Sequence, residues 1–214
     1  MSTQEMSTQE MSTANKILGV VACGGKSSRM GTDKSMLQYY DLPQRYVAYA
    51  MLETACDEVV LSVNEQQVST IDKGYTFMID LLLYKNAGPM TALLTAFASY
   101  PDVGIFLLGC DYPLLQAQTL KDFISLCRKE NRLTAFYNQP AGLYEPLLGF
   151  YPAEIGSILM ERHSRGKHSL QQFLQEQQAF PFIPENVNEL TSADDPEIYS
   201  TIKEQLTLIN KYSY

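Results

Sequence analysis

The chain has 214 residues, 45% of them apolar, and carries 16 Lys and Arg against 24 Asp and Glu, a formal net charge of -8. That balance excludes a protein that wraps duplex nucleic acid or rests on an acidic membrane through basic side chains, though a local positive spot can still hold a phosphate. The length suits one α/β domain with a sizeable core. No apolar run approaches the ~20 residues of a membrane span, and the amino terminus lacks a basic segment followed by an apolar one. A cytoplasmic protein with neither nucleic acid nor membrane as partner is therefore expected.

Residues 1–15 contain "MSTQE" twice and then "MSTAN", too polar to pack, and are expected to be disordered. From residue 16 to 214 no linker, charge block or repeat interrupts the chain, which predicts one domain. "KILGVVA" (16–22) reads as a buried strand. The segment 42–57 reads as a helix with Val47, Ala50, Met51, Thr54 and Ala55 on its apolar face. "EVVLSV" (58–63) and "YTFMI" (75–79) read as strands around a short helical stretch at 64–73. A helix is expected over 90–100, a strand over 103–109 and a helix over 117–130. Beyond these the pattern predicts strands near 132–138 and 145–151, helices near 152–162 and 168–178, a strand near 179–184 and a last helix over 194–209. Strands this apolar need cover on both faces, so the expected fold is a three-layer α/β/α sandwich around a mostly parallel, Rossmann-like sheet.

Cys23, Cys56, Cys110 and Cys127 are far apart and form no C-x-x-C pair; they read as reduced thiols. His163 and His168 flank "SRGK" with no third ligand at a useful spacing, and read as a solvated basic junction between helices.

In a parallel sheet, ligands bind beyond the carboxyl ends of the strands. Three polar groups fall on that edge: the stretch "ACGGKSSRMGTDKS" (22–35) after the first strand, Asp80 after "YTFMI", and "CDYP" (110–113) after "VGIFLLG". The first stretch is neither a P-loop, since its "GKS" lacks the glycine five residues before Gly25, nor the dinucleotide G-x-G-x-x-G. Its Gly24, Gly25 and Gly31 allow backbone N–H groups to approach phosphate oxygens, and Arg29 and Lys34 supply charge for the same oxygens. From the glycines alone, a triphosphate cradle and a plain strand-to-helix turn stand equal. Asp111 is in the same way a metal ligand or a turn residue, Asp80 a ligand-binding or a turn carboxylate, and Asn186 and Asn188 alternate as a strand's ligand-facing pair or serve as turn formers.

The order of residues in "GGKSSRMGTDKS" resembles the signature loop of the molybdenum cofactor guanylyltransferases, L-A-G-G-x-S-x-R-M-G-x-D-K. The resemblance extends through Asp80 ahead of "GPM" (88–90), "FLLGCDYP", "YEPLLGFYP" (144–152), "GKHSLQQFL" (166–174) and "ENVNEL" (185–190). It implies a nucleotide-diphospho-sugar transferase-like fold and transfer of GMP from GTP to the terminal phosphate of molybdopterin, releasing pyrophosphate. It also implies Mg²⁺ on Asp111 and catalytic charge from Arg29 and Lys34. Ala22, Cys23, Gly24, Gly25, Gly31, Lys34, Asp80, Asn186 and Asn188 would contact the nucleotide and acceptor. Other molybdenum cofactor biosynthesis proteins and acceptor molybdoenzymes are the implied protein partners. Three alternatives stay open: a cytidylyl-transferring relative, another small phosphate acceptor, and a non-catalytic nucleotide-binding module.

Overall fold

The computed structural model describes residues 16–24, 33–193 and 195–212, without the side chains of 207–212. The N-terminal repeat and Gly25, Arg29 and Gly31 lie outside the described residues.

The first strand, β1 (Ile17–Ala22), forms from a β-branched, apolar run whose side chains alternate between the two faces of the sheet. Ile17 and Val21 enter one core and Leu18 and Val20 the other. β1 lies between β2 (Glu58–Val63) and β4 (Gly104–Gly109), parallel to both. These strands are covered on both faces, and each fully buried Val, Leu or Ile side chain contributes roughly 1.5–3 kcal/mol.

Among the described residues the sheet has seven strands in the order β3-β2-β1-β4-β6-β5-β7, with β3 at Phe77–Ile79, β5 at Thr134–Asn138, β6 at Leu143–Tyr151 and β7 at Phe180–Phe182. Only β6 of these runs against the others. Helices α1 (Gln44–Glu53) and α3 (Ala117–Glu130) cover one face. Helices α2 (Met90–Ser99), α4 (Ile155–Ser164) and α5 (Leu170–Glu176) cover the other. The last helix, α6 (Pro196–Tyr212), packs Ile198, Tyr199, Ile202 and Leu206 against Leu37, Tyr39 and Leu114. The expected three-layer sandwich with a mostly parallel sheet is thus present.

Three local expectations need correction. Helix α1 ends at Glu53 and buries Arg45, Tyr46, Ala48, Tyr49 and Leu52, whereas Ala50 and Thr54 are exposed and Val47, Met51 and Ala55 only half-buried. The larger rings win the inward face. Tyr46 stacks on Tyr75 at 4.0 Å between centroids, and the buried Arg45 guanidinium donates to Thr70 Oγ1 at 3.0 Å and to the Tyr46 hydroxyl at 2.8 Å. The stretch 64–73 holds only a single 3-10 turn, Val68–Thr70. The histidine junction is solvated only in part: Ser164, Arg165, Gly166 and Lys167 are exposed as expected, whereas His163 and His168 are half-buried, stack at 5.0 Å, and meet Tyr84 edge-on at His163.

The antiparallel half is irregular for identifiable reasons. Pairing between β5 and β6 jumps from Ala135↔Gly149 to Phe136↔Glu145, a bulge spanning Pro146, which has no N–H to give the ladder. Pro181 sits in β7, the outermost strand, where a missing donor is tolerated.

Candidate functional site

β1 connects through α1 to β2 on one side, while β4, reached through α2, lies on its other side. The crevice beyond the ends of β1 and β4 is therefore the topological switch point, where open α/β sheets bind ligands. Three expected site groups meet along this edge.

At the end of β1, Cys23 N–H donates to Ser62 O at 3.0 Å, extending the pairing with β2 by one residue. Gly24 follows, and a Cβ built on it would lie 2.6 Å from Asp80 Oδ2. Glycine at 24 is thus needed for the close approach of the Asp80 carboxylate, which brings the first and third strand ends together. Asp80 is held by its own N–H on Val63 O at 2.8 Å, and its side chain accepts from the Ser62 hydroxyl. Burial pushes the Asp80 carboxyl above its ordinary value, and the Ser62 hydrogen bond opposes that push.

Lys34 opens a 3-10 turn, Lys34–Met36, capped by Asp33, whose carboxylate accepts from Ser35 N at 2.9 Å and Ser35 Oγ at 2.8 Å. Asp33 also accepts from Gln67 Nε2 at 2.8 Å, and the same amide nitrogen donates to Cys23 O at 3.0 Å. One buried side chain therefore ties together the two residues that bound the stretch 24–32.

At the end of β4, Asp111 is fixed by a distant segment: Ala193 N donates to Asp111 O at 2.9 Å and Ser192 Oγ to Asp111 Oδ2 at 3.2 Å. Tyr112, next along, donates its hydroxyl to Glu145 Oε2 at 2.9 Å. The segment carrying Ser192 begins with Asn186 and Asn188, which form no strand. Asn186 caps a 3-10 helix, Val187–Leu190, through Asn188 N at 3.1 Å, and both asparagines are exposed. Their short polar side chains satisfy the turn's own backbone in place of a ladder. The turn in turn buries Glu189, which accepts from Gln116 N and Thr119 Oγ1, each at 3.1 Å, at the start of α3.

Behind these groups, the sulfurs of Cys23 and Cys110 lie 3.7 Å apart, and Ala22 O accepts from the Cys110 thiol at 3.3 Å. The contact with Cys23, together with burial, holds the Cys110 thiol well above its ordinary pKa.

The loop before Pro89 leads from the end of β3 into α2. Gly88 has φ of 58°, the left-handed region that glycine enters at little cost, and turns the chain into α2.

Among the described residues the edge thus gathers backbone, Lys34 and the carboxylates of Asp33, Asp80 and Asp111, donors for phosphate and hard-oxygen ligands for a divalent cation. The model of the MobA-like NTP transferase domain matches residues 19–180. The chain belongs to that family.

Relatives include a Synechocystis protein named "Molybdenum cofactor biosynthesis bifunctional protein", 28% identical over 195 residues covering 87% of this chain and 53% of the relative. The chain spans about half the length of that protein. A Thermococcus gammatolerans protein named "Probable molybdenum cofactor guanylyltransferase" is 29% identical over 163 residues, 75% of this chain and 82% of the relative. Among solved structures, Molybdopterin-guanine dinucleotide biosynthesis protein A from Archaeoglobus fulgidus superposes with a TM-score of 0.71 at 14% identity, covering 89% of this chain and 99% of that one. A CMP:2-keto-3-deoxy-manno-octonic acid synthetase bound to CTP superposes at 0.65 with 11% identity, over 91% of this chain and 99% of that one. The latter two likenesses concern the fold.

For this MobA-like transferase, the expected residues Ala22, Cys23, Gly24, Lys34, Asp80 and Asp111 fall on the one edge. Four residues escaped sequence reasoning: Asp33, Ser62, Gln67 and Ser192. Asp33 stood inside the recognised loop next to Lys34 and was legible as a cap. Ser62, the single polar residue in the otherwise apolar end of β2, carried a faint signal. Gln67 and Ser192 carried none, because their partners are 34 and 81 residues away in the chain.

Proposed function

We propose that this MobA-like transferase moves GMP from GTP to the terminal phosphate of molybdopterin, releasing pyrophosphate. The observation that carries the proposal is the meeting of Gly24, Asp80 and Asp111 on one sheet edge in a chain of this family. The names of the relatives supply the acceptor.

The attacking group is a phosphate oxygen that is already anionic, so no general base is needed. The site must position the acceptor in line with the α-phosphate and neutralise charge that moves onto the departing pyrophosphate. Lys34 serves that neutralisation, with Arg29 assigned the same role from the sequence. The backbone at Cys23 and Gly24 lines the nucleotide side, and Asp80 accepts from ribose or base donors. The donor set fits Mg²⁺: Asp111 offers a hard carboxylate at a strand end, held in place by Ser192 and Ala193. Bound there, Mg²⁺ supplies Lewis-acid stabilisation of phosphate charge. We place the reaction in the cytoplasm, with other molybdenum cofactor biosynthesis proteins and acceptor molybdoenzymes as protein partners.

Calorimetric titration of GTP, CTP and ATP into the purified protein with Mg²⁺ tests the reading. GTP preference, followed by pyrophosphate release only when molybdopterin is added, is the expected result. CTP preference moves the protein to cytidylyl transfer, and absence of binding to all three overturns the enzymatic reading.

A further inference from the structure

We propose that Cys23 and Cys110 form a peroxide-oxidisable dithiol whose disulfide closes the nucleotide edge. β1 and β4 are parallel neighbours, with Ala22 paired to Gly109 as their last partners, so the two cysteines are the next step in register. Neighbouring strands run about 4.8 Å apart, inside the ~4.4–6.8 Å between Cα atoms that a disulfide spans. Both side chains point to the same face, in the core beneath α1 and α3. Their sulfurs are 3.7 Å apart and both residues are free thiols.

The step balances with hydrogen peroxide as oxidant. One thiol gives up its proton, its sulfur attacks a peroxide oxygen, the O–O bond breaks, and a sulfenic acid and a hydroxide result, the hydroxide taking up that proton to leave as water. The second sulfur attacks the sulfenic sulfur, the S–O bond breaks, and the hydroxide leaves with the second thiol's proton as another water. Two thiols and one peroxide thus give one disulfide and two waters. A dithiol reductant reverses the step by exchange.

The consequence follows from where the sulfurs sit. Bond formation draws them together by about 1.7 Å, to the ~2.0 Å of a disulfide. It also removes the thiol hydrogen that Cys110 gives to Ala22 O. Cys23 is bonded through its carbonyl to Gln67, and from there to Asp33; Cys110 precedes Asp111 directly. Closing the gap between the sulfurs therefore pulls on the backbone just before Gly24 and just before Asp111 at once. The loss of nucleotide binding rests on the function proposed above, whereas formation of the bond does not.

The test treats folded protein with hydrogen peroxide, blocks remaining thiols after denaturation, and maps peptides by mass. Expected is a Cys23–Cys110 linked peptide with Cys56 and Cys127 still alkylated, accompanied by at least tenfold weaker Mg²⁺·GTP binding that dithiothreitol restores. In Cys110→Ala, peroxide should leave binding equal to that variant's own untreated level. Persistence of both thiols, or their conversion to sulfinic acid without a linked peptide, overturns the dithiol. A linked peptide with unchanged GTP binding overturns the closure. If untreated protein binds no nucleotide, the linked peptide and a dithiothreitol-reversible change in Tm still decide the dithiol by themselves.

Discussion

Asp80 and Asp111, two carboxylates at the carboxyl end of the parallel strands, differ in how they are held. Asp80 follows β3, the edge strand beside β2, takes its hydrogen bond from the neutral Ser62 hydroxyl one strand away, and lies against Gly24. Asp111 ends a central strand and is gripped through main chain and side chain by Ser192 and Ala193, about 80 residues later in the sequence. Asp80 is set by its own sheet neighbours and is desolvated by them. Asp111 depends on a segment that arrives after the whole antiparallel half has been built. Under the proposed function, the contrast suits the two to different work: Asp111, anchored through main chain and side chain, to a fixed charge for the reacting phosphates, and Asp80, whose ionisation is opposed by burial, to a hydrogen-bonding group.

The largest expected effect comes from removing the charge at Asp111 while keeping its shape. Asp111→Asn should lower transfer turnover by about 10²–10³-fold, the scale for losing one preorganised electrostatic contact at a reacting centre. The backbone bond to Ala193 and the polar contact with Ser192 survive the change, so Tm should move little. Turnover within tenfold of the parent would mean that Asp111 is only a structural end-piece of β4.

The second effect tests the late segment that distinguishes the two sites. Glu189 is buried and accepts two hydrogen bonds at the start of α3. Glu189→Ala leaves Gln116 N and Thr119 Oγ1 without that partner, a loss of about 1–2 kcal/mol by analogy with helix caps. At roughly 2–4 °C per kcal/mol for a chain of this size, Tm should fall by several degrees. Turnover should fall further than nucleotide affinity, because the displaced segment carries Ser192 and Ala193. An equal fall in both would mean that the segment stabilises the fold without setting Asp111.

The same contrast explains what was legible in the sequence. β1, β2 and β4 are apolar runs bounded by polar loops, and α3 is an amphipathic helix found at its expected limits, 117–130. The order of these elements and the loop after β1 placed Gly24, Lys34, Asp80 and Asp111 on one edge. The face of α1 was misread because periodicity counted small apolar residues and missed that Arg45, a charged residue, could be buried by Thr70 and the Tyr46 hydroxyl. Asn186 and Asn188 alternate in the sequence, yet an asparagine that caps its own backbone removes itself from a ladder. The contacts of Gln67 and Ser192 join residues far apart in the chain, and local pattern carries no record of such pairs.

The smallest predicted effect has the opposite sign from the others. Burial raises the Asp80 carboxyl above the ordinary 3.8, so the folded state holds that proton more tightly than the unfolded chain does. Its contribution to stability is then fully present below pH 3.8 and is lost as pH rises through the raised value. Asp80→Asn keeps the oxygen that accepts from Ser62 and can no longer ionise. The variant should therefore match the parent's Tm in acid, gain on it as pH rises through the folded value, and hold the full gain at neutral pH, while binding nucleotide more weakly. Tm measured for both proteins from about pH 3 to 8 checks this. A difference that stays flat across that range would mean that Asp80 is solvated well enough to ionise freely, and the proposed division of work between the two carboxylates would fail on the Asp80 side.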